Sequence, residues 1–131
     1  MSIARKIIFS YGLFETLPGI ILLPSTILAD MIIGRILIGN IILLFLNFLH
    51  LFFLTAFWCG IKGGYSGLVF LYGIRLIKII SNKIWFNLGY GFNFYFDLNV
   101  KALGLAVSIN IVSILMLALL HKSHKNKQVN R

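Results

Sequence analysis

From Ile36 to Ile61 the chain carries no formal charge, and nearly every residue in that run is aliphatic or aromatic. A helix of about 20 apolar residues crosses a hydrocarbon core of about 30 Å, so this stretch has the length and character of a membrane span. Comparable apolar stretches recur, and four spans are expected at about residues 4–23, 36–61, 66–85 and 100–120. The chain is 60% hydrophobic and 11% charged, whereas a soluble domain carries about 25% charged residues, so its apolar surface needs a lipid solvent. The expected fold is an all-α integral membrane protein: a four-transmembrane-helix bundle over residues 1–120, followed by a basic, disordered tail at 121–131.

The first stretch places one carboxylate, Glu15, inside a run otherwise greasy enough to enter a bilayer. Arg5 and Lys6 precede it, which raises the possibility of a signal peptide cleaved near Ala29, but Glu15 and Pro18 inside the apolar region favour a retained helix. Pro18 removes a backbone donor and frees a carbonyl near Phe14, so this turn is expected to face the protein interior, with the span ending at Pro24 and Ser25. In the second stretch Asn40, Asn47 and His50 share a helical stripe with Leu43 and Leu54, and Trp58 sits where amphipathic rings meet headgroups. The glycines from Gly60 to Gly67 read as a turn, although Gly60 with Gly64 and Gly63 with Gly67 also have the spacing of a helix-packing motif.

Arg75 and Lys78 interrupt the third stretch, which is expected to insert with Lys78 snorkelling; the alternative is a helix lying in the interface. From Asn87 to Asp97 aromatic residues alternate with a period of two, which predicts an extended interfacial segment between the third and fourth helices. In the fourth stretch Ala102, Ala106, Asn110 and Ser113 form a small and polar seam at helical spacing.

The net charge of +9 collects at the ends of these stretches. Arg5, Lys6, Lys62, Lys122, Lys125, Lys127 and Arg131 fall on one side of a four-span arrangement, against Arg35, Lys83 and Lys101 on the other, which predicts cytoplasmic N- and C-termini in a multi-pass protein of the cell membrane. The basic ends are then partners for anionic lipid headgroups and not for nucleic acid. Cys59 is the only cysteine, which excludes an intrachain disulfide or a thiolate metal cluster.

The midpoints of the four proposed spans place Glu15, Asn47, Arg75 and Asn110 at one depth, with His50 one turn away and Tyr11, Asn40 and Tyr72 as supporting groups. A lone charge at that depth costs about 2.5–3.5 kcal/mol, so Glu15 is expected to pair with Arg75. Such a layer either fixes helix register, as in a structural or accessory bundle, or marks a proton or small-solute route through Glu15. Haem on His50 lacks a second intramembrane histidine as axial partner, and His121 with His124 among lysines makes a weak metal pair, so no cofactor or metal is expected. With three acids and no phosphate-binding loop, catalysis is not expected either. A homo-oligomer or a larger membrane complex suits a bundle of this kind.

In hydropathy outline the chain resembles small multidrug transporters with a carboxylate in the first helix, DoxX-like membrane proteins, and phage holins with charged C-termini. Leu13 to Pro18, around Glu15, lacks the small-residue neighbourhood of those transporters, so no site residue is carried over. The third resemblance implies a holin-like pore former.

Overall fold

A computed structural model describes residues 2–34, 38–81, 85–86, 94–100 and 104–129. Among these the chain is mostly helical, with four helices, and two of the four are long and apolar enough to cross a membrane.

Helix α1 runs from Ile3 to Ile33, ten residues beyond the end expected at 23. Ser2 caps its start by accepting from Arg5 N at 3.4 Å, and Gly34 ends it in the left-handed conformation at φ 76°. Pro18 and Pro24 both lie inside the helix. The Ser25 and Thr26 hydroxyls donate to Leu22 O at 2.7 and 3.2 Å, so polar side chains serve the backbone around the second proline. The expectation that the Pro18 turn faces inward is corrected for the proline itself: Pro18 and Phe14 are exposed, while Glu15 and Thr16 on the opposite side of the same turn are buried.

Helix α2, Ile38–Trp58, returns antiparallel to α1. Arg5 meets Phe57 and Trp58, Gly12 meets Leu54, Gly19 meets Asn47, and Asp30 meets Asn40, in regular order along the hairpin. A Cβ on Gly12 would stand 2.7 Å from Leu54 Cδ1, and one on Gly19 would stand 2.6 Å from Asn47 Oδ1. The two glycines therefore set how closely the helices approach. Arg5 Nη2 donates to Phe57 O at 2.5 Å and Trp58 O at 2.7 Å, satisfying carbonyls that a helix C-terminus leaves open.

Helix α3, Lys62–Ile74, begins inside the glycine stretch that was expected to be a turn. The chain reverses at Cys59 and Gly60, the latter at φ 81°. Gly64 and Gly67 then face α2 so closely that a Cβ would fall 2.1 Å from Phe57 N and 2.1 Å from Phe53 Cδ1. Here the packing role of the glycines prevails over their turn propensity, because burial against α2 offsets their helix cost of about 1 kcal/mol each.

The expected helices at 66–85 and 100–120 are corrected. α3 ends at Arg75, its C-cap, and a four-stranded antiparallel sheet follows, made of β1 (Ile77–Ser81), β2 (Trp85–Phe86), β3 (Tyr95–Val100) and β4 (Leu105–Asn110). Its spatial order is β2-β1-β4-β3. Ile77 and Ile79 flank Lys78, and Leu105, Val107 and Ile109 alternate with Ala106 and Ser108, a period of two that suits a pleated surface, while β1 adds a further β-branched residue at Ile80. The expected extended segment at 87–97 is described only from 94 onward, where Tyr95 to Asp97 open β3; residues 87–93 lie outside the described residues.

Helix α4, Ile111–Val129, starts where the Asn110 carboxamide oxygen accepts from Val112 N at 3.1 Å and Ser113 N at 3.4 Å. The tail expected to be disordered from 121 instead continues this helix to Val129; Ser123 is buried and His124 stacks on Tyr65 with centroids 4.4 Å apart. The core draws Ile8, Leu54 and Phe57, Leu68 and Tyr72, and Met116 and Leu120 from all four helices. Past this core the C-terminal half of α1 and the N-terminal half of α2 extend as a hairpin with exposed apolar residues, including Ile21, Leu28, Ile32, Ile41 and Phe45.

Gly64→Ala is expected to destabilise the protein by about 1–3 kcal/mol or more through overpacking against backbone that cannot yield. Gly63→Ala, where a Cβ meets nothing within 4 Å, should be neutral or stabilising by up to about 1 kcal/mol. Thermal unfolding of the two variants in detergent compares them directly.

Candidate functional site

Glu15 lies on the buried face of α1, one turn past Gly12, and Arg75 closes α3. They are 2% and 1% exposed, and the Arg75 Nη2 group donates to Glu15 Oε1 in a fully enclosed ion pair. Tyr72, one turn before Arg75, donates its hydroxyl to Glu15 Oε2 at 3.2 Å. Both carboxylate oxygens thus receive a donor from α3. The guanidinium also lies 5.4 Å from the Tyr72 ring centroid, so one tyrosine contacts both charges.

His50 comes from α2 and is fully buried. Its ring meets Tyr72 edge-on, with centroids 5.1 Å apart and planes at 89°. Asn47, one turn earlier, donates to Leu43 O at 2.8 Å and presents its carboxamide to Gly19 of α1. Asn110 is buried beside this group, because its N–H donates to Leu76 O at 2.8 Å immediately after Arg75, and its side chain caps α4.

The structure therefore gathers Glu15, Arg75 and Tyr72 in direct contact, with His50 against Tyr72. Asn47 and Asn110 flank them through backbone and packing contacts. Tyr11 borders the apolar core within electrostatic reach of Glu15 and Arg75. Asn40 belongs elsewhere: its Nδ2 donates to Asp30 Oδ2 at 3.0 Å near the far end of the α1–α2 hairpin, so its place on the helical stripe does not bring it to the layer.

One buried polar residue beside this group was not singled out in the sequence: Thr16 is fully buried and donates to Gly12 O at 2.8 Å. Ser113, expected on a small and polar seam with Asn110, is fully buried on the first turn of α4. Thr16 adjoins Glu15 inside an apolar run, and that adjacency was the available signal.

Chemically the arrangement is an ion pair with a phenolic donor, a neighbouring imidazole and two amides. Among the described residues no group of three metal-ligating side chains converges. Cys59 is exposed at the α2–α3 reversal, on the rim of an apolar cavity of about 260 Å³ lined by Phe52, Phe53 and Ile61. Compared with known proteins, the chain matches no family model, no curated protein and no solved structure.

Tyr72→Phe keeps the ring and removes the hydroxyl that serves Glu15. A buried hydrogen bond to a charged group contributes about 1.5–3 kcal/mol, so this variant should unfold at a clearly lower temperature than the parent. Asn40→Ala, at the partly exposed end of the hairpin, should cost under about 1 kcal/mol in the same measurement.

Proposed function

We propose that this chain is a small multi-pass membrane protein with a structural or accessory role, in which the polar layer of Glu15 and Arg75, with Asn47 and Asn110, sets the register of the bundle. The enclosed Glu15–Arg75 pair carries this reading. It links α1 to α3, two helices that the chain separates by all of α2, and an unpaired member of the pair would be intolerable in a low-dielectric interior. Only one sliding position of α1 against α3 brings Glu15 opposite both Tyr72 and Arg75.

In this reading α1 and α2 cross the bilayer, and α3 and the apolar part of α4 enter it beside them as the shorter members of a four-helix bundle. The contacts of Arg5 with Trp58 and of Tyr65 with His124 gather Arg5, Lys6, Lys62, Lys122 and Lys125 at one end. That end is assigned to the cytoplasmic side of the cell membrane and to anionic headgroups. A proton-coupled or small-solute carrier using Glu15 is the competing reading, and it is less favoured because both carboxylate oxygens already hold protein donors. The holin-like alternative rests on the basic C-terminus alone, where Lys122 and Lys125 continue α4.

Glu15→Gln and Arg75→Leu should each cost about 3–5 kcal/mol, and the double variant should cost less than the sum, since removing both charges leaves neither stranded. Thermal unfolding of the three variants in mild detergent measures this. Additive losses would remove the registry role, and a pH-gradient-driven flux in vesicles that Glu15→Gln abolishes would install the carrier in its place. Overexpression that lyses cells would point to the holin-like pore.

A further inference from the structure

The four-stranded sheet has two chemically distinct faces, and they are turned opposite to those of a soluble protein. Its cross-strand register places Ile77, Ile109 and Phe96 in one row and Ile79, Val107 and Leu98 in the next, all on one face. The other face carries Asn110 opposite Tyr95, then Lys78, Ser108 and Asp97 in a row, then Ile80, Ala106 and Asn99, so its polar groups lie on β3 and on the half of the sheet nearest α3. In an antiparallel sheet beside a protein core, the apolar face packs inward and the polar face meets water. Here the central strand β4 buries Asn110 and Ser108 more deeply than its half-buried Val107 and Ile109, while Ile77 of β1 is 44% exposed and the edge strand β3 exposes both faces, Phe96 and Leu98 at 59% and 48% beside Asp97 and Asn99.

The polar face is internally satisfied where it leaves the bundle. Ser108 donates to Asp97 across the strands, and the Lys78 ammonium lies 5.3 Å from the Tyr95 ring centroid. The apolar face meets no such partner among the described residues, and it shares its character with the exposed apolar flanks of α1 and α2. One apolar solvent accounts for all three surfaces.

Depth follows from helix length. α3 has 13 residues, so it rises about 20 Å from Lys62 to its end, against a hydrocarbon core of about 30 Å. If Lys62 lies at the cytoplasmic boundary, the sheet begins about 10 Å short of the opposite one. Strands of five or six residues rise about 16–20 Å, so the sheet runs from below that boundary to beyond it, and its open edges meet headgroup water only past the boundary.

We propose that this sheet is a lipid-binding plate at the boundary opposite the cationic end, with the face of Phe96, Leu98 and Ile77 seated on acyl chains and the Lys78–Asp97 face turned toward the bundle and headgroup water. The inference rests on the membrane reading above. It assigns to lipid acyl chains a surface that a second copy of the chain would otherwise cover.

Site-directed spin labelling of the full chain tests it, on a Cys59→Ser background in vesicles of phosphatidylcholine and phosphatidylglycerol. Nitroxides are placed by Leu98→Cys on the apolar face, Asn99→Cys on the polar face, and Phe48→Cys on an exposed apolar position of α2. Collision with oxygen reports lipid, and collision with a water-soluble nickel chelate reports water. The oxygen-to-nickel ratio at Leu98 should exceed that at Asn99 several-fold and lie below that at Phe48, which sits midway along α2 and so deepest in the bilayer. A nickel-accessible Leu98 beside a protected Phe48 overturns the plate alone. A Leu98 label shielded from both agents also overturns it, in favour of a protein partner. Nickel access at Phe48 itself removes the membrane reading and the plate with it.

Discussion

A carboxylate and a guanidinium enclosed together in an apolar bundle restrict the fold more than any other contact in this chain. The Glu15–Arg75 pair sits between the first and third helices, and its burial leaves no water to compensate either charge if the other moves. Tyr72 takes the remaining carboxylate oxygen, and His50 of α2 packs edge-on to the same ring, so one contact reaches three helices. Asn110 extends that connection to the sheet and to α4, because its backbone joins the residue after Arg75 while its side chain starts the last helix.

Close helix approach makes that arrangement geometrically possible. Gly64 admits the backbone of α2 to α3 at a separation that no side chain could share, while Gly12 and Gly19 leave room for the Leu54 and Asn47 side chains of α2 and Gly67 for the Phe53 ring. Under the membrane reading proposed above, the apolar effect does not favour helix on helix over helix on acyl chain, so contact area gained by small residues matters more than hydrophobicity. Arg5 closes the opposite end by holding the last carbonyls of α2 while its charge remains near the bundle's rim.

The apolar runs, the stray carboxylate and its cationic counterpart were legible because each violates or obeys a solvent rule that needs no coordinates. Glu15 and Arg75 do not meet as the midpoints of two full spans, however. Arg75 is the C-cap of a 13-residue helix and not the midpoint of a 20-residue span, and the depths agree because α3 starts four residues earlier than its apolar content suggests. Asn40 shows the converse: the stripe with Asn47 and His50 is real on α2, but the hairpin is long enough that Asn40 reaches Asp30 instead. The sheet was hidden for a more specific reason. Ala106 and Asn110 are four apart, which satisfies helical spacing, and they also share one face of a strand, so the two periods coincide over so short a run.

What the sequence determined by itself is the presence of helices long and apolar enough to cross a membrane, two of which the structure shows, and the need for Glu15 to find a cation. These follow from composition and length, which act on each segment separately. Where α3 stops, which glycines pack and which turn, the strands at 77–81 and 105–110, and the helical course of 121–129 were decided by tertiary structure. Each of those outcomes depends on a partner in another element: Phe57 of α2 for Gly64, β4 for β1, Tyr65 of α3 for His124. Local propensities at those positions differ by only about 1 kcal/mol, and a single buried contact outweighs them.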